Sequence, residues 1–276
     1  MPEYIDLHLH TVYSDGTDTP EELLELARQH ELAAFAITDH DSVGGYLKAR
    51  EYLRDGDPEL VSGVELSAGQ YGEDIHMLGY FIDPNSEPLR ESLADLQRKR
   101  NQRGDAMFNK LKALGIAIPD GLIREIAGNS AVARPHVADA LVRVGAVRNY
   151  DEAFRRFIGV GCDAYVAKQN LKPKEAINVI HQAGGLAFLA HPAIGNTIRY
   201  VDEFVEYGLD GIEVYHSKHN KHTRKGFISI AQNKSLLVSG GTDYHGRGGR
   251  YGMIGSQPVP LEYLLAMKKR LTETNG

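Results

Sequence analysis

The chain has 276 residues, 42% of them hydrophobic, a formal net charge of −6 and one cysteine, Cys162. That length and apolar content can bury one large α/β domain, or one domain carrying an insertion. The acidic balance argues against a broad basic face for duplex DNA, and a lone cysteine excludes an internal disulfide framework and fits a reducing compartment.

No apolar run approaches the ~18 residues of a membrane helix. The first residues also lack the basic-then-apolar pattern of a signal peptide. A soluble, cytoplasmic protein with no membrane partner is expected.

In chain order, Tyr4-Ile5-Asp6-Leu7-His8-Leu9-His10 alternates apolar and polar residues and reads as a β-strand. Side chains at i and i+2 of a strand share a face about 7 Å apart. His8 and His10 can therefore point at one spot, where two imidazoles can hold one metal ion. After a loop over 11–18, Thr19, Pro20 and Glu22 form a capping box and proline start for a helix striped by Leu23, Leu26 and Ala27. A strand over 32–38 runs into Asp39-His40. A helix over 46–54 follows, then strands over 60–66, carrying Glu65, and 74–82, carrying His76. Strands alternating with helices predict parallel βα units.

From about residue 88 to 168 no convincing strand appears. Leu89, Leu93, Leu96, Met107 and Leu111 mark a long helical pattern, and a second helix starts at Arg134-Pro135. Asn149 with Glu152 resembles a capping box for 151–157. This block, 91–168, is expected to be a small helical domain inserted into a barrel made of 1–90 and 169–276. The alternation then resumes. A helix over 173–182 leads to a strand over 186–190 and His191. A strand over 211–215 runs into His216, a helix covers 222–232, and a strand over 236–239 precedes Asp243 and His245. A helix over 261–272 closes the chain.

Seven strands, read as parallel, predict an α/β fold: a seven-stranded (β/α)7 barrel with an inserted helical domain. In such barrels functional groups sit at the C-terminal ends of the strands, where the histidine and acidic clusters fall.

His8-x-His10, Ser14-Asp15-Gly16, Thr38-Asp39-His40, Gly63-Val64-Glu65, His76, His191-Pro192 and Asp243-x-His245 resemble the polymerase and histidinol phosphatase (PHP) family. Ala133-Arg134-Pro135-His136 is similar to a motif of bacterial members with a helical insertion, which include 3',5'-bisphosphate nucleotidases and a 5'-to-3' exonuclease acting on short RNA. The resemblance implies a distorted seven-stranded barrel with a trinuclear metal centre. It also implies the ligand sets: His8, His10, Glu65 and Asp243 for one ion, Glu65, His76 and His191 for a second, and Asp15, His40 and His245 for a third. Six imidazoles and three carboxylates suit Mn²⁺, the expected ion, or Fe²⁺ or Zn²⁺, better than Ca²⁺ or Mg²⁺, which prefer mostly oxygen. Asp6 and Asp39 are expected to orient histidine side chains from behind.

The implied activity is a metal-dependent phosphoesterase. A metal-bridging hydroxide would attack the phosphate of 3',5'-bisphosphonucleotides, nucleoside monophosphates or short RNA 5' ends. Asp15, His40, His191 and Arg134 are the expected catalytic residues. Arg134, His136, Lys168 and His216 are the expected substrate contacts, and the insertion would cover the barrel mouth. His219 and His222 read as a solvated loop, and His30 and His181 as surface or packing residues. Histidinol-phosphate phosphatase shares the metal centre and is the enzymatic alternative. A non-catalytic metal-binding PHP module is the alternative of another class, set against nine filled ligand positions. An amidohydrolase would often use a lysine at a strand end, and none stands there. Oligomeric state has no sequence signal.

Overall fold

A computed structural model describes residues 3–246 and 252–274. The chain forms two compact units, Met1–Ser92 with Leu171–Gly276, and Leu93–Asn170.

The first unit opens with β1 (Tyr4–Leu9), α1 (Pro20–Gln29), β2 (Ala34–Ile37), α2 (Gly44–Arg50), β3 (Glu59–Gln70) and β4 (Glu73–Tyr80). Helix α3 (Glu87–Ala113) runs across the boundary. The second unit continues with α4 (Leu122–Ala127), α5 (Arg134–Arg143), α6 (Tyr150–Ala153) and a π-helical turn, Phe154–Ile158. Met107, Leu111, Val137, Leu141 and Ile158 are fully buried in its own apolar core. Among its described residues no β-strand forms.

The first unit resumes with α7 (Pro173–Gln182), β5 (Leu186–Leu189), a 3-10 stretch (Ile194–Tyr200), α8 (Val201–Glu206), β6 (Gly211–Tyr215), α9 (Lys221–Asn233), β7 (Leu237–Gly240), β8 (Val259–Pro260) and α10 (Leu261–Thr274). None of the helices among the described residues is long and apolar enough to cross a membrane. The start of α1 is built as its residues require. Thr19 accepts from the Glu22 amide while the Glu22 carboxylate takes the Thr19 amide. Leu23, Leu24 and Ala27 are then fully buried, and each leucine contributes about 1.5–3 kcal/mol of apolar burial.

The eight strands form one sheet in the order β7-β6-β5-β4-β3-β2-β1-β8. Two features differ from seven parallel strands. First, β4 is antiparallel to both β3 and β5. Only Tyr71 and Gly72 separate β3 from β4, and both have positive φ, 54° and 78°. Such a two-residue hairpin turn forces reversal, because a parallel return needs a crossover of a dozen or more residues. Second, the short eighth strand pairs antiparallel to β1 through Tyr4–Pro260 and Ile5–Val259.

The other half of β1 meets the segment after β7. The Asp243 amide donates to the His8 carbonyl and the His10 amide to the Tyr244 carbonyl, both at 2.9 Å. This approach requires Gly241, since a Cβ there would lie 2.4 Å from the His8 nitrogen. The sheet is thus curled into a nearly closed barrel. Ile5 and Leu7 pack into an apolar core that includes Leu264 and Met267 of α10. Asp6, His8 and His10, on the opposite face, are also fully buried, as befits a strand covered on both sides.

Candidate metal centre

The centre is assembled around Glu65, which projects from β3 and is fully buried. Its Oε1 lies 2.8 Å from His76 Nδ1 and 3.0 Å from His191 Nε2. Its Oε2 lies 2.9 Å from His40 Nδ1, 3.3 Å from His10 Nε2 and 3.4 Å from His8 Nε2. One carboxylate therefore faces five imidazoles from β1, the end of β2, β4 and the end of β5. Asp243 Oδ1 closes the far side, 3.4 Å from His8 Nε2 and 3.2 Å from His10 Nε2. Asp15 Oδ1, from the loop after β1, lies 3.8 Å from His40 Nε2 and 3.4 Å from His245 Nε2. The His245 ring stacks on His10, with centroids 4.1 Å apart.

The β4 reversal explains how His76 joins. It is the fourth of the eight residues of its strand, opposite Ser67 of β3. Because β4 runs the other way, its entry lies at the end of the barrel where the parallel strands exit. The rule that ligands follow strand C-termini fails for this strand, yet the same face of the barrel is reached.

The donor set fits divalent cations. His8 Nε2, His10 Nε2, Asp15 Oδ1, His40 Nδ1, Glu65 Oε2 and His76 Nε2 are buried without a well-formed hydrogen bond. Three groups of side chains, His10-Asp15-His40-His245, His8-His10-Asp243 and His40-Glu65-His76, each bring their candidate ligand atoms within 4.8 Å of one another. Buried polar atoms are normally satisfied, so such a convergence points to a positive charge shared among them. The electrostatics agree. Burial alone would lower the His10 pKa, but hydrogen bonds and charge from Asp243 and Glu65 push it up to about 10. His76 likewise overcomes burial through Glu65 and Asp74 and rises to about 9. His40, most affected by burial, is lowered to about 4 despite Glu65 and Asp15. Glu65 resists burial and falls well below the usual carboxylate range through His40, His76 and His8. The carboxylates thus draw positive charge into a site that is costly to leave anionic.

A PHP domain description matches residues 6–238, from β1 into β7. The chain belongs to the PHP family. It is 34% identical to a 3',5'-nucleoside bisphosphate phosphatase of Chromobacterium violaceum over 254 residues, 89% of each chain. It is also 34% identical to the 5'-3' exoribonuclease Rnm of Escherichia coli over 249 residues, 87% of this chain and 84% of that one. A crystal structure from Bifidobacterium adolescentis, assigned as a metal-dependent phosphoesterase, superposes with a TM-score of 0.88 at 30% identity, covering 96% of both chains.

In this PHP chain the groups behind the candidate ligands differ from expectation. Asp6 and Asp39 contact no histidine side chain in the hydrogen bonds of the described residues. Asp6 accepts from Thr242 N, Thr242 Oγ1 and Gly255 N at 2.8–3.1 Å. Burial, only partly offset by these bonds, pushes its pKa up to about 6. Asp39 accepts from Thr11 N, Thr11 Oγ1 and Ser14 Oγ at 2.6–2.7 Å. Both aspartates staple main chain next to the candidate ligands, one step removed from the imidazoles.

The residue that does orient a histidine, Glu213, has no counterpart in the sequence reading. It is fully buried on β6. Its Oε1 accepts from His8 Nδ1 at 2.8 Å and its Oε2 from the His191 amide at 2.7 Å. That fixes the His8 tautomer and leaves Nε2 for the centre. It also anchors His191, whose φ of 28° is unusual for a non-glycine residue. A buried carboxylate in Gly-Ile-Glu-Val-Tyr was the signal available.

The expected substrate contacts have mixed surroundings. His216 is fully buried, and its Nδ1 accepts from the Lys218 amide at 3.1 Å. Its Nε2 therefore carries the proton and donates to Asp243 Oδ2 at 3.2 Å. His219 is buried too, donating from Nδ1 to the Val214 carbonyl, so it is no solvated residue. In the second unit, Arg134 is half-buried at the first turn of α5, with its guanidinium 5.4 Å from the Phe154 ring centre. His136 is buried and accepts from the Ala133 amide at 3.1 Å, closing that first turn. Lys168 is half-buried in the segment leading back to the barrel.

Proposed function

We propose that the chain is a metal-dependent phosphoesterase that hydrolyses phosphate esters of nucleotides: 3',5'-bisphosphonucleotides, nucleoside monophosphates or short RNA 5' ends. The observation that carries this reading is the single connected cluster of His8, His10, Asp15, His40, Glu65, His76, His191, Asp243 and His245. The names of the two relatives support the nucleotide and RNA substrates.

In this reading three divalent ions, manganese first among them, would when bound supply positive charge for the phosphate and lower the pKa of a water. The chain's own residues do the rest. Glu65 sits between the His76–His191 side and the His8–His10–His40 side and would contribute to an ion on each. Asp15, His40 and His245 would hold a third. Glu213 and the Asp243 main-chain carbonyl, which receives His245 Nδ1 at 2.8 Å, hold two rings in register. Water attacks phosphorus in line and the ester oxygen leaves as the alcohol. Arg134, with His136 or Lys168, takes a further phosphate of the substrate.

A phosphate-release screen with Mn²⁺ tests the reading, comparing 3',5'-bisphosphonucleotides, 5'-mononucleotides, RNA oligomers and histidinol phosphate. Hydrolysis of histidinol phosphate alone would overturn it.

Two variants test the assignments. Asp15→Ala removes the only carboxylate facing His40 and His245 together among the described residues. Metal analysis should find about one ion fewer per chain, and an unchanged content would remove Asp15 from the centre. Arg134→Ala should raise KM for a 3',5'-bisphosphonucleotide by roughly 10- to 100-fold, from losing ~1.5–3 kcal/mol of charge-assisted hydrogen bonding. p-Nitrophenyl phosphate, which has one phosphate, should respond much less. Lysine at 134 should rescue only partly, lacking the planar fork. An equal loss of kcat on both substrates would place Arg134 on the cleaved group.

A further inference from the structure

The run from Val214 to Thr242 holds five cations, Lys218, Lys221, Arg224, Lys225 and Lys234, and no carboxylate. Elsewhere acids prevail, since the whole chain has 37 of them against 31 cations. The run also begins in the metal centre. His216, where β6 ends, donates to Asp243, and the next-but-one residue, Lys218, returns its amide to His216. From that buried anchor the chain emerges directly, with Lys218, Lys221, His222 and Lys225 exposed.

The cations are not equivalent. Arg224 is turned inward. Its Nε donates to the His219 carbonyl at 3.0 Å, and its guanidinium lies over Tyr215. It holds the loop and adds little to the surface. Lys234, at the far end of α9, pairs with Asp202. Lys218, Lys221 and Lys225 stand exposed at the end nearest the centre. Lys221 and Lys225 are four residues apart and share one face of α9. Asn220 caps that helix by accepting from the Thr223 amide at 2.9 Å, so its partial positive end adjoins the same surface.

We propose that Lys218, Lys221 and Lys225 form a track for the sugar–phosphate backbone of single-stranded RNA whose 5' end occupies the metal centre. The proposal rests on the phosphoesterase reading and extends it to the part of the substrate that is not cleaved. Five residues of extended chain reach at most about 18 Å, so Lys221 stands within a few nucleotides of the reacting phosphate. A bisphosphonucleotide is too short to use the track. An oligomer would gain contacts that depend on charge and not on base identity, as single-strand binding does. A run of chain without carboxylates at this place offsets part of the repulsion that a chain of net charge −6 exerts on RNA.

The test compares the wild type with the triple variant Lys218→Glu, Lys221→Glu, Lys225→Glu. The substrates are a 5'-phosphorylated RNA hexamer and a 3',5'-bisphosphonucleotide, each measured over a range of salt. For the hexamer, KM should rise by at least ~10-fold, and log KM should depend on log salt with a slope lower by about 2, from three phosphates at ~0.7 each. For the bisphosphonucleotide, KM and kcat should stay within about twofold, which also reports that the variant is folded. Arginine at all three positions should restore the hexamer KM. An unchanged hexamer KM, or equal losses on both substrates, overturns the track. Wild-type protein that cleaves the bisphosphonucleotide but not the hexamer overturns the track alone. Cleavage of neither overturns the phosphoesterase reading as well.

Discussion

Glu65→Gln should abolish hydrolysis, with turnover falling by on the order of 10³-fold or more. The substitution keeps the side-chain shape and removes one negative charge. That charge faces five imidazoles at 2.8–3.4 Å in a fully buried site. An amide can present only one acceptor oxygen, so one side of the centre would meet an NH₂ group instead. In the proposed reading, the ions on both sides of Glu65 would lose affinity. Metal content should therefore drop by more than about one ion per chain, and the rise in Tm on adding Mn²⁺ should shrink with it. Calorimetry with and without Mn²⁺ separates this from simple unfolding, because the metal-free variant should still melt cooperatively. A variant that keeps near-wild-type metal content and turnover would show that Glu65 is not shared between ions.

Glu213→Ala should weaken metal binding by ~10- to 100-fold, the usual cost of losing the partner behind a ligating imidazole. Two consequences follow from one deletion. His8 loses the acceptor for Nδ1–H, so the tautomer with Nε2 free is no longer enforced. The His191 amide loses its partner at a residue whose backbone is held at positive φ, and a buried unsatisfied donor costs about 1–3 kcal/mol. Titration with Mn²⁺, followed by electron paramagnetic resonance, should report the weaker binding. At saturating Mn²⁺ much of the turnover should return with little change in substrate KM. Glu213→Gln should recover part of the affinity, since its carbonyl can serve one of the two donors while its amide opposes the other. Unaltered Mn²⁺ affinity in the alanine variant would reduce Glu213 to a packing residue.

Much of this protein is legible without its tertiary structure. The alternation in Tyr4 to His10 sets β1 and puts His8 and His10 on one face, because strand side chains have a period of two. Thr19, Pro20 and Glu22 start α1 where capping chemistry places it, and Pro173 starts α7 for the same reason. These are local properties, decided by residues within a turn or two of one another. The ordered series of histidines and acids after short apolar runs belongs with them, and it pointed to the family.

What only the tertiary structure decided is long-range. A tyrosine at positive φ, as Tyr71 is, does not announce a hairpin in the sequence. With that turn β4 reverses, and with it the meaning of His76's place in its strand. The eighth strand is two residues long and carries no periodicity of its own, so it exists only because β1 has an edge to pair. Asp6 and Asp39 carried the right chemistry to support the centre, but a buried carboxylate goes to whichever donors the fold brings near, here the amides and hydroxyls of Thr242 and Thr11, the Ser14 hydroxyl and the Gly255 amide. Glu213 is the sharpest case. Its partner His8 is 205 residues away, and period-two reasoning says which face a side chain takes but not what stands across the barrel from it. That pairing was settled by closing the sheet, which placed β6 and β1 on two sides of one interior.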